Sequence, residues 1–222
     1  MPGHKTLSGF FVEEEKMKIQ KRKSTKIQKT IWLGFGVASA ATGTYMLMLV
    51  FSPAIYQPYD PKTVEEKVAV SKEYNADTII IPKIGVDVPF ASGDAAVMEK
   101  GAWHRFPERG DPASGGNFIL SAHRFQMTYD PIASRHSSPF YNIDKLNVGD
   151  SIDVVYNKQQ YTYQVQKKYS VKPWDIYIEA PSKDPKLTLY SCTLKGESDG
   201  RDVIEAKLLP KNAQASADTG TS

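Results

Sequence analysis

Apolar and polar residues follow three regimes along the 222 residues of the chain. From Ile31 to Phe51 it reads IWLGFGVASAATGTYMLMLVF, with no Asp, Glu, Lys, Arg, His or Pro. At about 1.5 Å rise per residue, a helix of this length matches a bilayer core of about 30 Å, so the run predicts a transmembrane anchor at 31–51. A buried core helix would normally keep a polar face, and none is visible here. A cleaved signal peptide is the competing reading, with Ala38 to Ala41 as its small residues; MLMLVF follows them, where signal peptides turn polar. Residues 52–76 carry Pro53, Pro58 and Pro61 and then a short helical stretch, which predicts a linker.

From Asp77 to Leu209 the pattern changes to short β-branched or aromatic runs separated by Gly, Pro, Asn and Asp. This predicts one all-β domain, with strands near 78–82, 86–90, 117–123, 151–156, 160–170, 186–192 and 202–209. Helical signal is confined to Gly93–Lys100 and Tyr141–Leu146, and several strands with so few helices suggest a barrel or a sandwich. The last residues, 210–222, are small and polar and are expected to be disordered.

Charge adds an orientation. The net charge is only +3, but Lys5, Lys16, Lys18, Lys21, Arg22, Lys23, Lys26 and Lys29 all precede the apolar run. That cluster predicts a cytoplasmic segment at 1–30 and an extracellular linker and β-domain beyond the anchor. Nucleic acid is not an expected partner, because the basic residues stop where the apolar run begins instead of interleaving with aromatics on a folded surface. The chain has 1 Cys. In an oxidising space an unpaired thiol is a liability unless it is buried or used, so Cys192 needs an explanation.

Strand alternation supplies one. If Leu187, Leu189 and Ser191 face the core, then Thr188, Tyr190 and Cys192 face a surface groove. Burial as a small hydrophobe is the plain alternative. On the strand 117–123, His123 shares a face with Ile119 and Ser121, and a His at a strand end can reach a neighbouring strand. A nearby imidazole can take the thiol proton or hand a proton to a leaving amine. Arg201 stays charged at ordinary pH and so cannot act as a base. It can steady a carbonyl oxygen or an oxyanion. His123, Cys192 and Arg201 therefore suffice for acyl transfer, with Ser121 and Tyr190 as candidate substrate-binding residues of the same faces.

The segment Thr188-Leu189-Tyr190-Ser191-Cys192, with a preceding His and a following Arg, resembles the TLxTC signature of the sortase family. IPKIGVDVPF at 81–90, GAWHRFPERGDPASGGNFILSAHR at 101–124, PFYNIDKLNVGDSIDVVY at 139–156 and RDVIEAKLL at 201–209 resemble family segments in the family's order. Ser191 departs from the usual Thr. The resemblance implies a closed β-barrel of about eight strands and a membrane-bound cysteine transpeptidase. It also implies surface proteins with an LPxTG-like sorting signal as partners, a thioacyl enzyme as intermediate, and a peptidoglycan precursor or pilin Lys as amine acceptor. It assigns roles to His123, Cys192 and Arg201. No cofactor is expected; a calcium site of the kind some sortases have would need Glu197, Asp199 and Asp202, which read more simply as a solvated loop.

Other readings stay on the table. An L,D-transpeptidase would need an HGC-type motif that is absent, and a membrane-tethered, non-catalytic β-domain for protein binding would leave Cys192 structural. Among the other histidines, His4 lies on the cytoplasmic side, His136 reads as solvated, and His104 reads as structural. Trp32 suits the membrane interface, while Trp103 and Trp174 read as packing residues. The stretch RFQMTYDPIASRHSSPF after His123 is longer than the family's usual connection. Polymerising pilin sortases often carry an Asp-Pro-aromatic plug and a second anchor; Lys62 follows Asp60-Pro61 here and no apolar run follows Leu209, which points to wall attachment.

Overall fold

The structure is a computed structural model and describes residues 7–210, with side chains from residue 12 onward. The tail expected beyond Pro210, and His4 and Lys5 at the other end, lie outside the described residues. Two compact units divide the chain, residues 1–48 and 49–222. The first belongs to helix α1 (Leu7–Phe51), which continues the apolar run back through the basic segment as one helix. Its apolar side chains point outward almost without exception, and it is long and apolar enough to cross a membrane.

The second unit contains α2 (Pro61–Glu73), β1 (Thr78–Ile81), β2 (Val86–Ala91), β3 (Ala102–Arg105), β4 (Gly110–Asp111) and β5 (Gly115–Ser121). It continues with α3 (Pro131–His136), β6 (Ser151–Tyr156), β7 (Gln159–Val171), β8 (Lys186–Thr193) and β9 (Gly196–Leu208). Strand order is β3-β2-β1-β6-β7-β9-β8-β5, and a β3–β5 pairing closes the ring, so the domain is a closed eight-stranded barrel. The two-residue β4 lies along the same edge of β5 as β3. Closure removes the free edges that an open sheet would offer to other chains.

The barrel interior follows the alternation expected from sequence. Ile79, Ile81, Phe118, Leu120, Ile152, Val154, Leu187, Leu189, Ile204 and Ala206 point inward into one cluster. The outer face is covered in two places. Val68 of α2 packs with Ile80 and Val155, and Ile178, from the segment joining β7 to β8, packs with Ile119, Val171, Tyr190 and Val203.

Two expectations are corrected here. Within the expected linker at 52–76, α2 lies packed on β1 and β6 instead of standing free as a stalk, because Val64 and Val68, one turn apart, give it an apolar stripe. Asp60 caps it by accepting from the Thr63 amide at 2.7 Å, with Pro61 in the first turn. The second correction concerns β3, which the hydrophobic pattern does not announce and which closes the ring. Its two inward positions are Ala102 and His104, and a buried His hides the apolar alternation.

The expected helical stretches at 93–100 and 141–146 are single 3-10 turns, Ala95–Glu99 and Ile143–Lys145. The long connection after His123 carries α3, N-capped by Asp130. It and the 3-10 turn that follows hold the first residues after the apolar run: Ser52 Oγ donates to the Pro131 carbonyl at 2.7 Å, and Asn142 Nδ2, at the start of that turn, donates to the carbonyl of Pro53 at 3.0 Å.

Candidate active site

Three neighbouring strands bring the Cys, the His and the Arg into one row. β5 and β8 run parallel, with Ser121 level with Tyr190, and the Ala122 amide donates to the Tyr190 carbonyl at 3.4 Å. His123, two residues past Ser121, therefore comes level with Cys192, two residues past Tyr190. On the other side β8 and β9 run antiparallel, and Cys192 is the direct partner of Arg201. Because side chains alternate along each strand, all three lie on the outer face of the barrel.

Each member is held where regular pairing runs out. His123 lies just beyond the end of β5; its carbonyl accepts from the Phe140 amide at 3.2 Å, and its Nε2 lies 3.3 Å from Glu99 Oε1. Arg201 sits six positions into the hairpin arm, not at its start as the sequence suggested, because β9 begins at Gly196. Its Nη1 donates to the carbonyls of Glu197 at 2.8 Å and Gly200 at 2.9 Å, so the fork is parked against its own turn. Gly200 runs so close to β7 that an added Cβ would stand 2.7 Å from the Val171 carbonyl oxygen.

Cys192 is half-buried and forms no disulfide. Burial pushes its thiol above the ordinary range, Arg201 draws it back, and the carboxylate of Glu197 pushes it up again. The resting group is a protonated thiol, and a nucleophilic role requires a base at its side.

The two candidate substrate-binding residues are placed differently from expectation. Tyr190 and Ser121 do lie on the face of Cys192 and His123, but both are buried there, Tyr190 under the β7–β8 segment and Ser121 beside Met98, whose sulfur lies 3.9 Å from its hydroxyl. Tyr190 is 4% exposed. Its hydroxyl donates to Glu179 Oε1 at 2.5 Å and accepts from Arg105 Nη1 at 2.7 Å, while Arg105 pairs with Glu179 at 3.2 Å. Burial, followed by the Glu179 carboxylate, pushes the Tyr190 hydroxyl far above its ordinary value. Tyr190 is thus part of the fastening of the roof, not an open wall. Trp174, expected to pack, stands 71% exposed on that segment beside exposed Ile176 and Tyr177, whereas Ile178 and Glu179, the residues that fasten the segment to the barrel side chains, are buried below it.

The remaining candidates sort by environment. His104 is buried, edge-on to Phe118 with centroids 4.8 Å apart, and its Nε2 lies 3.1 Å from the Gly110 carbonyl oxygen. Burial holds its pKa below the ordinary imidazole value. His136 is exposed on α3 and borders a cleft of ≈ 640 Å³ between residues 53–59, β2 and α3. That cleft contains no member of the row. Among the described residues no three His, Cys, Asp or Glu side chains converge to hold a metal ion. Asp202 turns instead to Arg124 at 2.9 Å and Ser170 at 2.7 Å, and Asp199 accepts from the Thr193 hydroxyl at 2.7 Å.

A family model, described as the sortase domain, matches residues 79–209. The chain belongs to the sortase family. Sortase SrtE1 of Streptomyces coelicolor is 28% identical over 151 residues, which cover 61% of this chain and 40% of that protein, so this chain spans well under half the length of that relative. Among solved structures, the sortase D5 transpeptidase of Clostridium perfringens is 25% identical with a TM-score of 0.51, over 67% of this chain and 95% of the other. Sortase A of Listeria monocytogenes shares the fold, with a TM-score of 0.51 at 21% identity over 66% of this chain and 98% of the other. The apolar helix of this sortase is compatible with a membrane anchor.

Sequence reasoning passed over Glu99, Arg105, Arg124, Asp144 and Glu179. Only Arg124 carried a local signal, as a charged residue at an inward position of β5's continuation; Arg105 ends β3, the strand the pattern does not announce, and Glu99, Asp144 and Glu179 arrive from 3-10 turns whose approach no strand pattern encodes.

Proposed function

We propose that this sortase is a membrane-anchored cysteine transpeptidase in which Cys192 is the nucleophile, His123 the proton carrier and Arg201 the oxyanion partner. The observation that supports this best is the single row formed by the three side chains across β5, β8 and β9. The Cys192 Sγ adds to the carbonyl carbon of the Thr in an LPxTG-like sorting signal, and its proton passes to His123. The tetrahedral oxyanion is met by Arg201, which can leave the turn carbonyls that hold it at rest. His123 returns the proton to the departing Gly amine, the C–N bond breaks, and a thioester remains. An acceptor amine then adds to that thioester, the C–S bond breaks, and the thiol takes a proton back.

The N-terminal helix holds the enzyme in the membrane, with the basic segment inside and the barrel outside. The acceptor is a cell-wall amine. Supporting wall attachment, Asp60-Pro61 is engaged as the cap of α2, the role opposite to a plug over the Cys. A protein-binding domain without catalysis is the remaining alternative, and one experiment separates the two. The full chain in detergent is given an LPxTG-type peptide and a triglycine acceptor. Cleavage and transfer are expected, and both are expected to vanish in Cys192→Ala; transfer undiminished in that variant would overturn the proposal.

A further inference from the structure

We infer that Arg124 and Asp202, with Asp144, form a positioning clamp that sets His123 and Arg201 on either side of Cys192. This rests on the roles proposed for those three residues. Arg124 directly follows His123, and Asp202 directly follows Arg201. By alternation both point to the opposite side of the sheet from the catalytic row, into the end of the barrel beneath it. There Arg124 Nη1 donates to Asp202 Oδ2 at 2.9 Å and its Nη2 donates to Asp144 Oδ1 at 2.7 Å. Asp202 also accepts from the Ser170 hydroxyl of β7 at 2.7 Å. One guanidinium therefore ties the residue after the His, on one side of β8, to the residue after the Arg, on the other.

Two observations argue that the device serves placement. The Arg124 side chain is only 3% exposed, and its Nε has no hydrogen-bond partner. A buried guanidinium with an unsatisfied donor, paired with carboxylates that stay 22% and 42% exposed, is a poor source of stability, since taking the Arg charge out of water is costly and ion pairs open to water return little. What it can supply is geometry, and the backbone needs it here. β5 ends at Ser121, short of His123. After the Cys192–Arg201 pair the next partners are Thr193 and Gly196, so the β8–β9 register breaks at the nucleophile itself. On both flanks of Cys192 the ladder stops, and the clamp spans the gap from below.

The test uses the full chain in detergent with Arg124→Met, Asp202→Asn, their combination and Arg124→Lys. Thermal melting reports folding, peptide transfer gives kcat and KM, and iodoacetamide labelling of Cys192 across pH 5–10 reports the thiol's surroundings without any peptide. A displacement of about 1 Å at a reacting pair costs on the order of 100-fold in rate, so kcat is expected to fall about 10–100-fold with KM changed less than about 3-fold. The labelling midpoint is expected to rise, because Arg201 no longer stays beside the thiol. The double variant should lose no more than Arg124→Met alone, since both remove one device, and Arg124→Lys should recover part of the loss. Should Arg124→Met fail to fold, the isosteric Asp202→Asn carries the same test. Wild-type kcat and labelling midpoint in folded variants, with only the melting temperature lowered, would overturn the clamp while a dead Cys192→Ala leaves the catalytic roles standing. Transfer that survives Cys192→Ala would instead overturn those roles.

Discussion

The Cys192 thiol sits between opposed influences: burial and Glu197 keep its proton on, and Arg201 draws it off. The labelling rate of the native protein by iodoacetamide should therefore climb with pH through a midpoint above that of a free thiol. Arg201→Met is expected to move that midpoint further up, and Glu197→Gln to move it down. Both shifts should be modest, since both side chains act at a half-exposed site where water screens charge. A downward shift in Arg201→Met would show that its charge does not reach the thiol. That Cys192 shares a face with Thr188 and Tyr190 was legible from sequence, because a strand's period of two fixes the face once Leu187 and Leu189 are placed inside; the face of Arg201 was not, because its strand begins at Gly196, earlier than the pattern suggested. The state of Tyr190 was not, since parity names a face without saying what lies over it. Nor was the pairing of His123 with Glu99, which depends on where a 3-10 turn comes to rest.

Among the elements, β3 shows how a chemical requirement can mask a pattern. The strand closes the barrel only because His104 is accepted inside as a neutral ring between Phe90 and Phe118, with a nitrogen turned to the Gly110 carbonyl. Seven of the strands declare themselves through Val, Ile, Leu and aromatic alternation; this one carries a polar residue at an inward position and so reads as a loop. The consequence is a pH-dependent weakness. The folded pKa of His104 lies below its ordinary value near 6.5, mainly through burial. Above 6.5 the ring is neutral in both states and costs nothing. As pH falls below 6.5 the unfolded chain takes up a proton that the folded one refuses, so stability drops by up to about 1.4 kcal/mol per pH unit until the folded pKa is reached. Urea unfolding between pH 4.5 and 8 should show that decline in the wild type and a shallower one in His104→Gln, which keeps a donor toward Gly110. Equal slopes in the two proteins would place the acid sensitivity elsewhere.

For the molecule as a whole, the boundary between the apolar helix and the barrel domain is where sequence and structure diverge in a way that can be measured. Proline spacing suggested a free linker up to residue 76, yet the chain is tied down from Ser52 onward. Arg135 Nε donates to the Ser52 carbonyl at 3.2 Å, and buried Asn142 reaches that of Pro53. Further along, the Tyr59 hydroxyl donates to the Gly85 carbonyl at 2.9 Å, and its ring carries the ammonium of Lys67 at 4.7 Å. Gly85 adopts φ 63° there, and an added Cβ would stand 2.3 Å from the Gln57 carbonyl oxygen, so this segment and the turn after β1 are fitted to each other. A chain beginning at Leu49 should fold as the full-length protein does and stay in solution, whereas the full-length protein should sediment with membranes and resist carbonate extraction. A chain beginning at Asp60 keeps the cap of α2 but loses the contacts of residues 52–59 and leaves the Asn142 amide without its acceptor. At about 0.5–1.5 kcal/mol for each lost hydrogen bond, it should be about 2–6 kcal/mol less stable in urea than the chain beginning at Leu49. Equal stability of the two truncated chains would return residues 52–59 to the role of a plain tether.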